Sequence, residues 1–279
     1  MTQLPTVTLI GHVCIDNNTI EGAKFETWGS SVMYIAKYLL KNFGIHSHII
    51  APYGQNFVKY TESFDFLVPP TTPDTLQYEN IVNNGTRVQY CHHAELSNPV
   101  TINEKIKELL EHTDILVVAP LVANYQVTYI AQIMEFLPKE CLRVLLPQGY
   151  MRHINGEDRI EKRMFSEAEQ LLTYFDVVVA SDEDCDNALD VAKVWATYKE
   201  ESSIVITQAS KGATLFNNGK VTQIPTTAIP PSQIKNPVGS GDTFSARLAI
   251  DLHNKLSPSD AVRNANAATA KVLLSQPIQ

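Results

Sequence analysis

Short apolar runs rich in β-branched residues alternate with helical patterns along most of the chain. The strand-like runs lie at residues 7–13, 47–51, 115–119, 143–146, 176–180 and 203–208. The helical patterns, with apolar residues three or four positions apart, lie at residues 31–41, 102–111, 126–136, 167–173 and 184–199. This alternation predicts βαβ units, and therefore a mostly parallel sheet with helices on both of its faces. Ligands of such sheets bind at the carboxyl ends of the strands.

Two segments interrupt this alternation and predict β-hairpins. Residues 75–82 and 86–92 flank Asn83-Asn84-Gly85, and residues 213–216 and 221–224 flank Asn217-Asn218-Gly219. Asn-Gly supplies the positive φ angles that tight hairpin turns require. The first hairpin, at about residues 75–93, is predicted to project from the main body as a small β lid or as a homodimer contact. Residues 1–279 are then a single domain that carries this lid.

Composition narrows the class of protein. With 44% hydrophobic and 19% charged residues, the 279-residue chain is predicted to be globular and able to bury a full core. No apolar run approaches the roughly 20 residues of a membrane span. The net charge of -8, without a Lys/Arg cluster, argues against nucleic acid as a partner. The four cysteines are scattered without a C-x-x-C pair, as expected of free thiols in a cytoplasmic protein.

The stretch Asn-Pro-Val-Gly-Ser-Gly-Asp-Thr-Phe at residues 236–244 runs directly into a helical pattern. Two glycines around a serine allow backbone amides to converge, and a helix beginning near Asp242 adds free N–H groups and a positive dipole end. We expect Gly241 to take a positive φ in this turn. Such an anion hole suits a phosphoryl group, and Asp242 could accept the proton of a substrate hydroxyl. The alternative is a glycine-rich turn with Asp242 as an ordinary helix N-cap.

In this stretch, and in the order of its motifs over nearly the whole chain, the sequence resembles the ribokinase-like (PfkB-type) carbohydrate kinase family. The resemblance implies a three-layer α/β/α fold that transfers the γ-phosphoryl of ATP to a sugar, polyol or nucleoside hydroxyl, with Mg2+ bridging the phosphates. It assigns the anion hole to Gly239, Ser240 and Gly241, and the catalytic base to Asp242. Because several family positions are changed, a non-catalytic sugar or nucleotide sensor on the same fold is the alternative.

The resemblance also places an acceptor site in the N-terminal half. Asp16, predicted at the end of the first strand, matches the family's aspartate that holds substrate hydroxyls, and a carboxylate can accept two such hydrogen bonds. Its alternative is the start of an ordinary turn. Gly29 and Ser30 stand where the family has two glycines that let the backbone approach the sugar, and Tyr34 replaces the usual asparagine.

Three further site residues follow predicted strands. Gln148 and Arg152 lie in a Gln-Gly segment similar to that of family members resembling inositol and nucleoside kinases, where both would point towards the cleft. Arg152 could instead be a surface cation. Asp184, with Ser181, takes the place of the family's Asn-x-x-Glu, which helps to position Mg2+ through water. The alternative for Asp184 is an acidic first turn of a helix.

The nucleotide side matches the family with one change. Thr207 and Gly212 are retained from a Thr-x-Gly-x-x-Gly turn that lies near the nucleotide, and Ala209 replaces its first glycine. Asn266 lies in a C-terminal helix segment that the family places against the adenine. A face of small residues packed on the sheet explains the same segment without a ligand.

Overall fold

The computed structural model describes residues 4–83, 86–235 and 237–275. Its strands are β1 (Val7–Gly11), β2 (Cys14–Ile20), β3 (Ala23–Gly29), β4 (His48–Ile50), β5 (Asp65–Phe66), β6 (Gln77–Asn83), β7 (Thr86–His92), β8 (Ile115–Ala119), β9 (Leu142–Leu145), β10 (Arg152–Ile154), β11 (Ile160–Lys162), β12 (Val177–Ser181), β13 (Ser203–Thr207), β14 (Ala213–Asn217) and β15 (Lys220–Ile224). Its helices are α1 (Ser31–Phe43), α2 (Glu104–Leu110), α3 (Val127–Met134), α4 (Ala168–Leu171), α5 (Ala188–Trp195), α6 (Ser240–His253) and α7 (Pro258–Leu274).

The central sheet contains nine of the described strands, in the order β15-β14-β13-β12-β9-β8-β1-β4-β5. Neighbouring strands from β13 to β5 are parallel, and the β13–β14 and β14–β15 pairs are antiparallel. Strands β1 and β8 are buried along their whole length, as expected for the middle of a parallel sheet with helices on both faces. The predicted α/β architecture is therefore confirmed.

Helix α1 shows why the predicted elements form. Its apolar residues recur at helical spacing, so one face is buried against the sheet while the opposite face remains more exposed. The helix ends at Gly44, which takes the left-handed conformation with φ 68 and binds the carbonyls of the last turn. Helix α6 packs against both α1 and α7, so the N-terminal and C-terminal parts of the chain meet beside the central sheet.

A second sheet forms the lid, and its four described strands run in the order β3-β2-β6-β7. Strands β6 and β7 confirm the first predicted hairpin, although turn residues 84 and 85 lie outside the described residues. The second predicted hairpin is confirmed by β14 and β15, whose turn has Asn218 at φ 48 and Gly219 at φ 70. Two successive positive φ angles are what the Asn-Gly pair predicts.

The lid is larger than the sequence predicted. The first strand ends at Gly11, and β2 and β3 form an additional hairpin that turns at Glu21 and Gly22. Strand β2 then pairs in parallel with β6. Asp16 therefore lies inside β2, and both the prediction that it ends the first strand and the alternative that it starts a turn are wrong. The additional hairpin lacks an apolar run because most of its residues are partly exposed.

Two clusters of buried apolar side chains hold these sheets in place. The larger cluster fills the space between the central sheet and its helices. The smaller cluster lies at the base of the lid and consists of Cys14, Leu76, Tyr78, Cys91, Leu121 and Val122. The hydroxyl of Tyr78 donates a hydrogen bond of 2.9 Å to the Leu121 carbonyl, which ties the lid to the end of the central sheet. Over the described ranges, no helix is long and apolar enough to cross a membrane.

Candidate active site

The glycine-rich turn leads directly into helix α6. Gly239 precedes the helix at φ 74, in the left-handed region, and a Cβ at this position would lie 2.7 Å from the Tyr34 ring. Gly241 is already helical and faces open space, so the prediction that it takes a positive φ is wrong. The reason is that the helix begins at Ser240, ahead of the predicted start, and the reversal of the chain falls on Gly239. Asn236, the first residue of the predicted motif, lies outside the described residues.

The start of α6 presents free backbone amides. The Thr243 amide donates to the Gly239 carbonyl at 2.9 Å, and the helix has no side-chain cap. The Ser240 amide, predicted to belong to the anion hole, already donates to the Pro237 carbonyl at 3.4 Å. The amides of Gly241 and Asp242 have no acceptor among the described residues, as expected for the first turn of a helix. Unpaired amides and the positive dipole end together make this turn able to bind an anion.

Asp242 lies in the first turn of α6, where part of its surface still contacts solvent. Burial of the rest raises the pKa of its carboxyl from 3.8 to about 6. A hydrogen bond from Ser31 lowers this pKa, and the charge of Asp184 raises it. Ser31 is the first residue of α1, so the first turns of two helices meet at this carboxylate. The Ser31 contact could not be predicted from the sequence, because the two residues are far apart in the chain.

Asp16 and Gly29 lie close together on the neighbouring lid strands β2 and β3, where Gly29 is opposite Cys14 and Asp16 is opposite Thr27. A Cβ at Gly29 would lie 2.2 Å from the Asp16 carboxylate, so only glycine fits beside it. The carboxylate accepts hydrogen bonds from the Asn80 amide at 3.5 Å and from the Cys14 thiol at 3.7 Å. Burial raises the pKa of Asp16, while these hydrogen bonds and the nearby Arg87 and Arg152 lower it. Long contacts leave the carboxylate able to accept hydroxyl hydrogen bonds from a ligand.

Tyr34 lies between the two carboxylates. Burial first, and then the charges of Asp16 and Asp242, raise the pKa of its hydroxyl. The ring packs on Trp28, with centroids 4.8 Å apart, and contacts Gly239 from the other side. The structure therefore brings the predicted clamp and the predicted base within electrostatic range of one aromatic side chain, Tyr34.

Ser30, which stands where the family has glycine, takes a backbone conformation that favours glycine. It caps α1 at φ 117 and ψ 149, a conformation that favours glycine, and its hydroxyl accepts a 3.4 Å hydrogen bond from the Met33 amide. The side chain is buried. Ser30 therefore holds a conformation that favours glycine, at the cost of local strain.

A side-chain hydrogen bond joins Gln148 and Asp184, which follow neighbouring strands of the central sheet. The Gln148 side-chain amide donates to one Asp184 carboxylate oxygen at 3.0 Å, and the Ser181 amide donates to the other at 2.9 Å. Helix α5 begins only at Ala188, so Asp184 lies in the loop before it and not in a helical first turn. The alternative for Asp184, an acidic first turn of a helix, is therefore wrong.

Arg152 lies at the base of the lid. Its guanidinium is over the Tyr78 ring, 5.3 Å from the centroid, and donates to the Tyr78 hydroxyl at 3.2 Å. The side chain is half-buried and within electrostatic range of Asp16. These contacts contradict the alternative of a free surface cation and place the charge beside the acceptor residues.

The predicted nucleotide residues lie around strands β13 to β15. Thr207 donates to the Ala180 carbonyl at 3.3 Å, and Gly212 has φ 88 with its Cα against the Ile224 carbonyl. Ala209 keeps a left-handed φ of 45 where the family has glycine. Asn266 is buried, and its amide donates to the carbonyls of Ile224 at 3.1 Å and of residue 225 at 3.3 Å. Contact of Thr207, Gly212 and Asn266 with a nucleotide stays a prediction.

Solved structures share this architecture. A pyrophosphate-dependent kinase in the ribokinase family, complexed with a pyrophosphate analog and myo-inositol, has a TM-score of 0.78 at 18% identity over 98% of this chain and 96% of that chain. Arabidopsis thaliana ribokinase, complexed with ribose and ATP, has a TM-score of 0.72 at 15% identity over 99% and 94% of the two chains. Thermotoga maritima ribokinase has a TM-score of 0.72 at 14% identity over 98% and 94%.

These similarities define the class: the chain has the ribokinase-like fold, with a large mostly parallel sheet flanked by helices and a small separate sheet. No curated protein matches the sequence. The sequence profile described as pfkB family carbohydrate kinase matches residues 78–277. The chain belongs to the pfkB family of carbohydrate kinases.

Proposed function

We propose that this protein is a kinase that transfers the γ-phosphoryl of ATP to a hydroxyl of a sugar, polyol or nucleoside. The observation that carries the proposal is Asp242, whose pKa of about 6 belongs to a carboxylate beside the free amides at the start of α6. Such a group is ionised at neutral pH and still basic enough to take a proton. Asp242 is the third residue of α6, whose N-cap is Gly239, so the alternative that Asp242 is an ordinary helix N-cap is wrong.

Residues of the site can be assigned to each step of the phosphoryl transfer. Asp242 takes the proton of the acceptor hydroxyl, and the hydroxyl oxygen attacks the γ-phosphorus. The bond from that phosphorus to the bridging oxygen breaks, and ADP leaves with the electron pair. The amides of Gly241 and Asp242 stabilise the charge on the phosphoryl group in flight. Asp16 orients the acceptor through its hydroxyls, in a pocket that Tyr34 and Gly29 delimit.

Magnesium would be held mainly by the donor. In the described part of the chain, no group of three or more histidine, cysteine or carboxylate side chains could hold a metal ion. Asp184 fits a role through water, because its oxygens already accept hydrogen bonds from Gln148 and Ser181 and its charge lies near Asp242. When bound, Mg2+ would neutralise charge on the donor phosphates.

Pyrophosphate is the second candidate donor. Two of the similar structures are described as pyrophosphate-dependent kinases of the ribokinase family. The amide hydrogens of Asn266, predicted to contact the nucleotide, are already bound by the carbonyls of residues 224 and 225. Both facts support measuring the two donors side by side.

A donor and acceptor screen tests the proposal. Purified protein is incubated with Mg2+ and either ATP or pyrophosphate over a panel of pentoses, hexoses, inositols, sugar acids, sugar phosphates and nucleosides. Acceptor-dependent release of ADP or of inorganic phosphate supports the kinase. Ligand-induced thermal stabilisation without any acceptor-dependent release would instead support a sugar or nucleotide sensor on the same fold.

A further inference from the structure

A short hairpin of the main body lies against one edge of the lid. Its strands β10 and β11 pair antiparallel, and residues 152–162, which they bound, are called the strap. The tip of the strap contacts β7, which is an edge strand of the lid sheet. The Cys91 amide donates to the Asp158 carbonyl at 2.8 Å, and Tyr90 and Arg159 are partners in an antiparallel β-bridge. The strap therefore continues the backbone hydrogen bonding of the lid.

Side chains strengthen this contact between the strap and the lid. The Nδ1 atom of His92 lies 3.1 Å from an Asp158 carboxylate oxygen, and its Nε2 atom lies 3.8 Å from Glu79 on the neighbouring lid strand. Ile154 and Ile160, one on each strand of the strap, pack against the apolar cluster at the base of the lid. The lid is thus held by polar contacts at the tip of the strap and by apolar contacts along it.

Both ends of the strap are fixed. Arg152, its first residue, lies over the Tyr78 ring and donates to the Tyr78 hydroxyl at 3.2 Å. Arg163, which follows its last residue, donates to the Tyr150 carbonyl at 2.7 Å and pairs with Glu167 at 2.8 Å. Because Tyr150 is buried in the main core, the strap is anchored in the body of the protein.

The opposite edge of the lid has a weaker tie. Glu26 on β3 accepts hydrogen bonds from the Lys59 amine at 2.8 Å and from the Tyr60 hydroxyl at 2.7 Å. These side chains are largely exposed, and exposed ion pairs stabilise a structure little. The strap is the stronger of the two ties, because it combines backbone hydrogen bonds with buried apolar contacts.

We infer that the strap holds the lid in one position, so that the lid and the main body move as one unit when small molecules enter and leave. Swinging the lid away from the body would break the β-bridge, the Asp158 contacts and the apolar packing together. Asp16 and Asp242 are both partly exposed with the lid in this position, so a small molecule can reach them without such a movement. The inference concerns the lid alone and does not depend on the proposed kinase activity.

A shortened strap provides the main variant. Residues 155–159 are replaced by Asn-Gly, which removes the two residues that contact β7. Ile154 and Ile160 are opposite each other in the β10–β11 register, so a two-residue turn closes the same hairpin. The shortened strap therefore keeps its own strands and loses its hold on the lid.

Two point variants complete the set. Asp158→Asn is a milder change, which removes the charge beside His92 while asparagine tolerates the left-handed φ of 61 at this position. Asp186→Asn is the matched control, because it breaks the exposed ion pair between Lys162 of the strap and Asp186 and leaves the contacts with the lid intact.

Spin-label distances between lid and body test the inference. Labels are attached in Lys24→Cys on β3 and Lys193→Cys on α5, after Cys185 is replaced by serine, since the other three cysteines are buried. We expect one narrow distance distribution in the parent, unchanged by Mg-ATP, pyrophosphate, myo-inositol or ribose. The shortened strap should broaden the distribution, and Asp186→Asn should not. A parent distance that has two populations or shifts by more than about 2 Å with any of these compounds overturns the inference.

Hydrogen exchange provides a second, label-free measurement. The amides of β6 and β7 should exchange about tenfold faster or more in the shortened strap, less so in Asp158→Asn, and at the parent rate in Asp186→Asn. Parent-like exchange and parent-like label distances in the shortened strap would show that other contacts hold the lid, and would also overturn the inference. Neither measurement requires turnover, so a failure of the proposed kinase activity leaves this result standing.

Discussion

Replacing Asp242 with asparagine should make the protein more stable at neutral pH and nearly inactive. Asparagine keeps the shape of the side chain and can still accept the hydrogen bond from Ser31. It cannot take a proton from a hydroxyl. The same burial that prepares Asp242 as a base disfavours its charge, so removing that charge should help the fold.

The size of the effect follows from the pKa. Moving it from the ordinary 3.8 to about 6 corresponds to about 3 kcal/mol, at about 1.4 kcal/mol for each pH unit. Between these two values the folded protein binds more protons than the unfolded chain, so stability falls as the pH rises. The full cost is present above pH 6 and absent below the unfolded pKa. Because the carboxylate keeps some solvent contact, we expect about 1–2 kcal/mol.

Urea unfolding of parent and variant at pH 5 and pH 8 measures this directly. The gain in free energy of unfolding from Asp242→Asn should be larger at pH 8 than at pH 5. In the parent, kcat/KM should fall as the pH drops below about 6. Turnover of the variant should be about 10²- to 10⁴-fold lower at pH 8, and this deficit should shrink below pH 6, because the variant has no base to protonate. Asp190→Asn is the control, since that carboxylate is exposed beside Lys193. A stability difference that does not change with pH, or near-normal turnover of Asp242→Asn, would show that Asp242 is not a buried base.

Four further substitutions test the acceptor residues and the backbone of the site. Asp16→Ala should weaken acceptor binding by about 2–4 kcal/mol in calorimetry and leave donor binding unchanged. Equal losses of acceptor and donor binding would contradict this prediction. Gly239→Ala should cost about 1–2 kcal/mol in urea unfolding because of its positive φ and the Tyr34 ring, whereas helical Gly241→Ala should be neutral or stabilising. Ser30→Gly should raise stability by about 1 kcal/mol by relieving the strain at φ 117, and a loss would show that its capping hydroxyl matters more.

The parts of the fold with a strong local pattern could be predicted from the sequence. Strand β8 is a continuous apolar run and β1 is mostly apolar, because both are buried along their whole length. The Asn218-Gly219 pair favours a tight turn. The β2–β3 hairpin could not be predicted in this way. Its strands are polar and partly exposed, and one of them finds its partner, β6, far along the chain.

The candidate site shows the same division. The glycine-rich turn and Asp242 could be identified because their residues are adjacent in sequence. The bonds from Ser31 to Asp242 and from Gln148 to Asp184 join separate elements, so they exist only once the chain has folded. Arg87 carries no motif at all, and its closeness to Arg152 follows from the lid resting on the main body.

A kinase with Asp242 as its base must form a phosphate ester on the acceptor. Phosphorus NMR of the parent and of Asp242→Asn, with Mg2+, each donor in turn and the best acceptor of the screen, observes the product itself. We expect a new phosphomonoester signal to grow in the parent as the donor signals decline, and to be nearly absent in Asp242→Asn. Donor loss without a phosphomonoester, or equal ester formation by the variant, would contradict the account.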